Sequence, residues 1–157
     1  NCILTLSGGK YKSLPIPAHC LGTLTGISVT KRGQGGNIME MVASGSRGSY
    51  KIIKELNVRY ALRPRKSDTG CGRDIIIKRI SGSPLENSSM LPSAFMVIET
   101  AKGKDGSVSS VSIFGGGYGH GVGMSQYGAG YLSSKGYGYM EILHTYYKNV
   151  SFGYIYK

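Results

Sequence analysis

With 157 residues, 40% of them hydrophobic, the chain is long enough for one domain with a real core and too apolar for a disordered tail. Nineteen Lys and Arg against eight Asp and Glu give a net charge of +11, so the fitting partner is a polyanion or an anionic surface: nucleic acid, cell-wall polymer or lipid headgroups. No run of about 18 apolar residues occurs, which excludes a membrane-spanning helix within this sequence. Twenty-five Gly, twelve Tyr and no Trp indicate a turn-rich, β-rich domain. Its phenols either fill half-buried strand positions or present ring faces for stacking.

Residues 1–23 read as an irregular connector, interrupted by Pro15 and Pro17. The β-branched stretch 24–30, the basic turn 31–36, and the stretches 38–43 and 50–53 then predict a three-stranded meander. Residues 55–62 are helical in flavour, with Leu56, Tyr60 and Val58 turned inward. Residues 63–70 form a loop whose cations Arg63, Arg65 and Lys66 are either a solvated face or contacts for an anionic polymer. Residues 74–80 read as a buried strand and 81–92 as a loop. A hairpin of 94–99 and 108–114 delivers the chain into a glycine-rich stretch. Two short helices follow, 124–135 stopped by Gly136 and 139–147, and a last strand over 150–156. In the second helix Ile142, Leu143, Tyr146 and Tyr147 share one core stripe. The expected fold is α+β: a mostly antiparallel, barrel-like sheet with two short C-terminal helices.

Cys2, Cys20 and Cys71 are odd in number, compatible with one disulfide and a free thiol or with three thiols. His19 and Cys20 beside the other cysteines offer zinc-type ligands, but no Cys-x-x-Cys is present, and neither metal nor cofactor is expected.

The chemistry concentrates in residues 114–129. Flexible Gly-rich linkers are filled out with Ser, whereas this stretch holds Tyr118, His120, Ser125, Gln126 and Tyr127. Gly119 and Gly121 flank His120, and the loop feeds a helix N-terminus whose free N–H groups suit an oxygen-rich ligand. The spacing fits neither a phosphate loop nor a dinucleotide fingerprint. It also lacks the second Gly of a nucleophile elbow and an Asp placed to orient His120. The basic residues are scattered without a helix-turn-helix or RNP-like pattern, so no nucleic-acid partner is expected.

Gly117-Tyr-Gly-His-Gly-Val-Gly-Met-Ser-Gln-Tyr-Gly-Ala129, followed by Gly136-Tyr-Gly-Tyr-Met-Glu-Ile-Leu-His-Thr-Tyr-Tyr147, closely resembles the signature of the SpoIID/LytB family. These are bacterial stage II sporulation protein D and amidase-enhancer proteins. Weaker resemblance runs back through Leu91-Pro-Ser-Ala-Phe-Met-Val97 and Val58-Arg-Tyr-Ala-Leu62 to about Leu24.

The resemblance implies an extracytoplasmic protein of the cell envelope acting on peptidoglycan. The family's lytic transglycosylases cleave the MurNAc–GlcNAc bond of glycan strands that have lost their stem peptides. A protonated carboxylic acid serves the glycosidic oxygen, and the MurNAc 6-hydroxyl closes a 1,6-anhydro ring. The family's catalytic Glu lies in an Ala-rich helix that has no counterpart in residues 1–157. Residues 24–157 therefore resemble the C-terminal portion of the family domain, and no catalytic acid is assigned. Glu141 matches the family's helix but reads as a pairing or capping residue, and His144 reads as structural. The substrate-binding candidates are Tyr118, His120, Ser125, Gln126 and Tyr127. The alternative is a non-catalytic glycan-binding module that works with a cell-wall amidase or endopeptidase.

Overall fold

The structure is a computed structural model that describes residues 2–69 and 72–153. The fold is α+β with mostly antiparallel strands, and the chain divides into two compact units, Asn1–His120 and Gly121–Lys157.

The first unit contains β1 (Ile3–Ser7), β2 (Lys10–Lys12), β3 (Leu24–Arg32), β4 (Ile38–Gly45) and β5 (Gly48–Ile53). They form one sheet in the order β2-β1-β5-β4-β3. The meander expected from 24–53 is present as β3-β4-β5. Its register puts Met41 beside Val29 and Ile52, and Ala43 beside Ile27 and Tyr50, so alternate residues share one apolar face. Ile38, Met41, Ala43 and Ile52 join Val58, Ala94 and Met96 in the core. Ile38, Met41 and Val58 are sealed almost completely, and each such burial contributes about 1.5–3 kcal/mol. The sheet is open, with β2 and β3 at its edges, and no closed barrel is found among the described residues.

The stretch read as irregular supplies β1 and β2. Its alternating Ile3, Thr5 and Ser7 pair along β5 and β2, and the turn at Gly8 and Gly9 takes positive φ. Helix α1 (Glu55–Ala61) lies where expected and packs on β4 and β5, but it buries Glu55, Val58 and Arg59. Leu56 and Tyr60 point outward instead, because a seven-residue helix has room for one inward stripe. The Arg59 guanidinium is drawn inward by Glu55 at 3.6 Å and by the Leu91 carbonyl at 2.8 Å.

The basic loop contains one turn of helix, α2 (Lys66–Thr69), and pairs its own charges: Arg63 and Arg65 with Asp68, Lys66 with Asp74. Only β6 (Ile76–Ile77) of the expected buried strand forms, paired with β7 (Leu85–Glu86). A two-residue ladder covers little, so Ile76 is half exposed and Ile80 fully exposed. Asn87 organises this region: its side chain accepts from the Ile75 N–H and donates to Asp74. That hydrogen bond, then Lys66, holds the Asp74 carboxyl below its ordinary range. The last hairpin is β8 (Met96–Lys102) with β9 (Val108–Gly115), close to expectation.

The second unit is described by itself. Helices α3 (Gln126–Ser134) and α4 (Tyr139–Tyr146) pack on one another. Gly136, at φ 89°, ends α3, while Glu141 accepts from the Gly138 N–H at 2.8 Å and caps α4. Of the expected core stripe only Ile142 is buried. Tyr147 is exposed, its hydroxyl accepting from the Met124 N–H at 3.2 Å. No strand forms over 150–153, and residues 154–156 of the expected last strand lie outside the described residues. Cys2 and Cys20 are free thiols, and Cys71 also lies outside the described residues. Among the described residues no helix is long and apolar enough to cross a membrane.

Candidate functional site

The chain leaves β9 into the glycine loop, and segment 92–95 beside it supplies most of the anchors. The Gly116 N–H donates to the Phe95 carbonyl at 3.0 Å and the Gly119 N–H to the Pro92 carbonyl at 2.9 Å. Ser93 and Gly119 form a short parallel bridge. Ser93 is itself buried, its hydroxyl accepting from the Phe95 N–H at 3.0 Å, so the anchoring segment is held in its own turn. A fourth anchor comes from the turn between β3 and β4: the Asn37 amide donates to the His120 carbonyl at 3.0 Å.

The loop is thus fixed through its backbone, while the candidate residues Tyr118 and His120 are exposed. Tyr118 is 91% exposed, and His120 is exposed as well. Tyr118 therefore does not fill a half-buried strand position, which is the ordinary use of Tyr in a β-rich domain.

Ser125, Gln126 and Tyr127 open α3 in the second unit. Ser125 is an N-cap: its Oγ accepts from the Gly128 N–H at 3.0 Å and retains its own O–H to donate. Gln126 is exposed, offering one donor and one acceptor group. Tyr127 is 92% exposed. One helical turn on, Tyr131 is also exposed, with the Lys135 ammonium 5.5 Å from its ring centre. Tyr127, Tyr131 and Lys135 therefore follow one another at i, i+4 and i+8, a helical spacing that is the signal by which the sequence marks Tyr131 and Lys135 as companions of Tyr127.

Tyr118 and His120 share one anchored loop in the first unit, and Ser125, Gln126 and Tyr127 share one helical turn in the second. The anchors have no such signal. Asn37 lies 83 positions from His120 and carries no local mark of its partner.

All eight carboxylates are placed. Glu40 pairs with Lys51, Glu55 with Arg59, Asp68 with Arg63 and Arg65, and Asp74 with Lys66. Glu141 caps α4, and Asp105 accepts from the Ser107 hydroxyl and N–H, which hold its carboxyl below the ordinary range. Glu86 and Glu99 are exposed on short β-ladders. Six of the eight are thus held in an ion pair, a cap or a turn, and the other two are exposed. His144 stacks edge-on against Phe152 at 4.9 Å, in keeping with a structural imidazole. Among the described residues no three His, Cys, Asp or Glu side chains gather to hold a metal ion.

No family model, curated protein or solved structure matches the chain.

Proposed function

We infer that this chain is the glycan-gripping part of a peptidoglycan-directed domain of lytic transglycosylase type, acting in the cell envelope on strands stripped of stem peptides. The observation that carries the reading is the nearly complete exposure of Tyr118 and Tyr127, which flank the exposed His120 in sequence, in a stretch whose first half is anchored by its backbone. Exposed phenols cost solubility and add nothing to a core. They suit pyranose faces, on which a ring stacks while its hydroxyl hydrogen-bonds. His120, Gln126 and the Ser125 hydroxyl supply the mixed donors and acceptors that N-acetyl and hydroxyl groups require. The net charge of +11 favours a wall polymer that carries carboxylates.

A second reading is favoured by the placement of the carboxylates. Cleavage needs a protonated acid in a water-poor groove, and every enclosed or partnered acid here is committed to an ion pair, a cap or a turn. On that account residues 1–157 bind glycan, and cleavage depends on an acid from another segment or on a partner amidase or endopeptidase. Barrel-like closure belongs to the same proposal, since added strands would pair at the open β2 edge.

Stem-peptide-free glycan strands incubated with residues 1–157, and with a longer chain extended upstream, distinguish these readings by mass spectrometry of 1,6-anhydro-MurNAc ends. Products from the longer chain alone place the acid upstream. Glycan retention without products supports the binding module. Neither retention nor cleavage by either chain rejects both.

A further inference from the structure

His120 stands between two glycines in the left-handed region, Gly119 at φ 102° and Gly121 at φ 70°. Neither neighbour has a side chain to limit its backbone, so the sequence around His120 does not by itself decide where the imidazole stands. Two long-range hydrogen bonds hold the backbone on either side of it. The Gly119 N–H is held by the Pro92 carbonyl just before the histidine, and the carbonyl of His120 itself is held by the Asn37 side chain.

Asn37 is built for this task. It is only 6% exposed, so its amide must find partners inside the protein. Its backbone is fixed from two sides. Its carbonyl accepts from the Gly33 N–H at 2.9 Å, and the next residue, Ile38, donates to the Ala94 carbonyl at 2.9 Å. The β3–β4 turn is therefore closed by Asn37's backbone, which leaves the side-chain amide to reach the glycine loop.

We propose that Asn37 is the positioning residue for His120: its buried amide holds the His120 carbonyl so that the exposed imidazole meets glycan from one fixed place. The proposal rests on the glycan-binding reading of the loop. The chemistry asked of Asn37 is donation. Aspartate at this position would have the same shape, but once ionised, in an assay at mildly alkaline pH, it only accepts. It would set one acceptor against another and repel the His120 carbonyl.

The test uses chain 1–157 and N-acetylglucosamine tetramer as the probe, with variants N37D, N37S, H120A and N37D/H120A. Binding is read by titration calorimetry, and the loop by NMR of the His120 ring and of the Gly119 and Gly121 amides. The expected result is that N37D shifts the ring signals, speeds exchange of both amides and weakens binding about tenfold, the scale of one lost charge-free hydrogen bond plus a displaced contact. H120A weakens binding comparably, and the double variant is no weaker than H120A alone, because Asn37 acts through His120. N37S, too short to reach, repeats N37D and carries the same measurements if the carboxylate variant does not fold.

Unchanged ring and amide signals in a folded Asn37 variant overturn the proposal. So does an N37D loss that persists undiminished in the H120A background, which would make Asn37 a general structural residue. Full binding by H120A would sink the glycan reading of His120, and the NMR arm would still decide whether Asn37 sets the loop.

Discussion

The two halves of the glycine-rich motif are held in opposite ways. The loop ending at His120 is held from a distance, by Asn37, Pro92, Ser93 and Phe95, residues that precede it by some twenty to eighty positions. The half that begins at Met124 is held by its own helix and by the residue that ends the next one. Ser125 caps the helix it opens, Ala129 donates back to the Ser125 carbonyl, and the most distant anchor is Tyr147 within the same helical pair. The first arrangement ties a flexible glycine segment to the best-packed part of the chain, where order in the core becomes order in the loop. The second makes a small self-contained scaffold whose geometry depends on caps and on one close helix–helix approach. Damage to the core should therefore reach His120 and spare Tyr127, and damage to a cap should do the reverse.

The largest effect is expected from Arg59→Ala. Arg59 and Glu55 are both buried, and the guanidinium also holds the Leu91 carbonyl, at the head of the segment that anchors the glycine loop. Removing it strands a carboxylate whose Oε2 already lacks a hydrogen-bond partner, at a cost of about 3–5 kcal/mol in urea unfolding. In the same variant, amide exchange at Gly116 and Gly119 should rise while Gly128 and Ala129 stay protected. Replacing the pair together, as E55L/R59M, should recover most of the stability, because no charge is then left buried alone.

Gly128→Ala tests the other region. A Cβ there would stand against the Tyr146 hydroxyl and within 3.2 Å of the Ser125 Cβ, so the α3–α4 approach has no room for a methyl group. Alanine favours helix by about 1 kcal/mol over glycine, yet the overpacking should win and leave the variant about 1–2 kcal/mol less stable. Tyr146→Phe in that background removes the colliding oxygen and should return much of the loss. If G128A instead raises the melting temperature by itself, the helices approach less closely than this geometry requires.

How much of this is legible in the sequence follows the same division. The meander, α1, the β8–β9 hairpin and both late helices are legible because alternation, helical spacing and caps act over a few residues. The apolar run at 74–80 misleads because it says nothing of what will cover it. Only Ile76 and Ile77 find strand partners, and Ile80 is left fully exposed. Hydrophobicity alone assigns Leu56 and Tyr60 to the core. A buried ion pair takes that side of α1 instead, a choice set by Leu91 far along the chain. At the candidate site the motif announces its own members. It does not announce Asn37, because a hydrogen bond from an amide to a main-chain carbonyl leaves no trace in the residue types it joins.

The smallest effect separates two roles that Ser125 can hold at once. As an N-cap it accepts the Gly128 N–H through Oγ, and Ser125→Ala should cost about 1 kcal/mol with some loss of helical circular dichroism. Ser125→Asp keeps an acceptor at the cap and adds negative charge at the positive end of the helix, so stability should hold or rise slightly. Aspartate, however, has no proton to donate, and the N-acetylglucosamine tetramer, being uncharged, keeps repulsion out of the comparison. On the proposed glycan-binding reading, a Ser125 that is a cap alone leaves S125D binding the tetramer as the native chain does. If its hydroxyl also meets the ligand, S125D is stable but weak in binding, and S125A is weak in both. Stability and affinity thus part company at one oxygen atom, which is where the helical half of the motif would pass from scaffold to site.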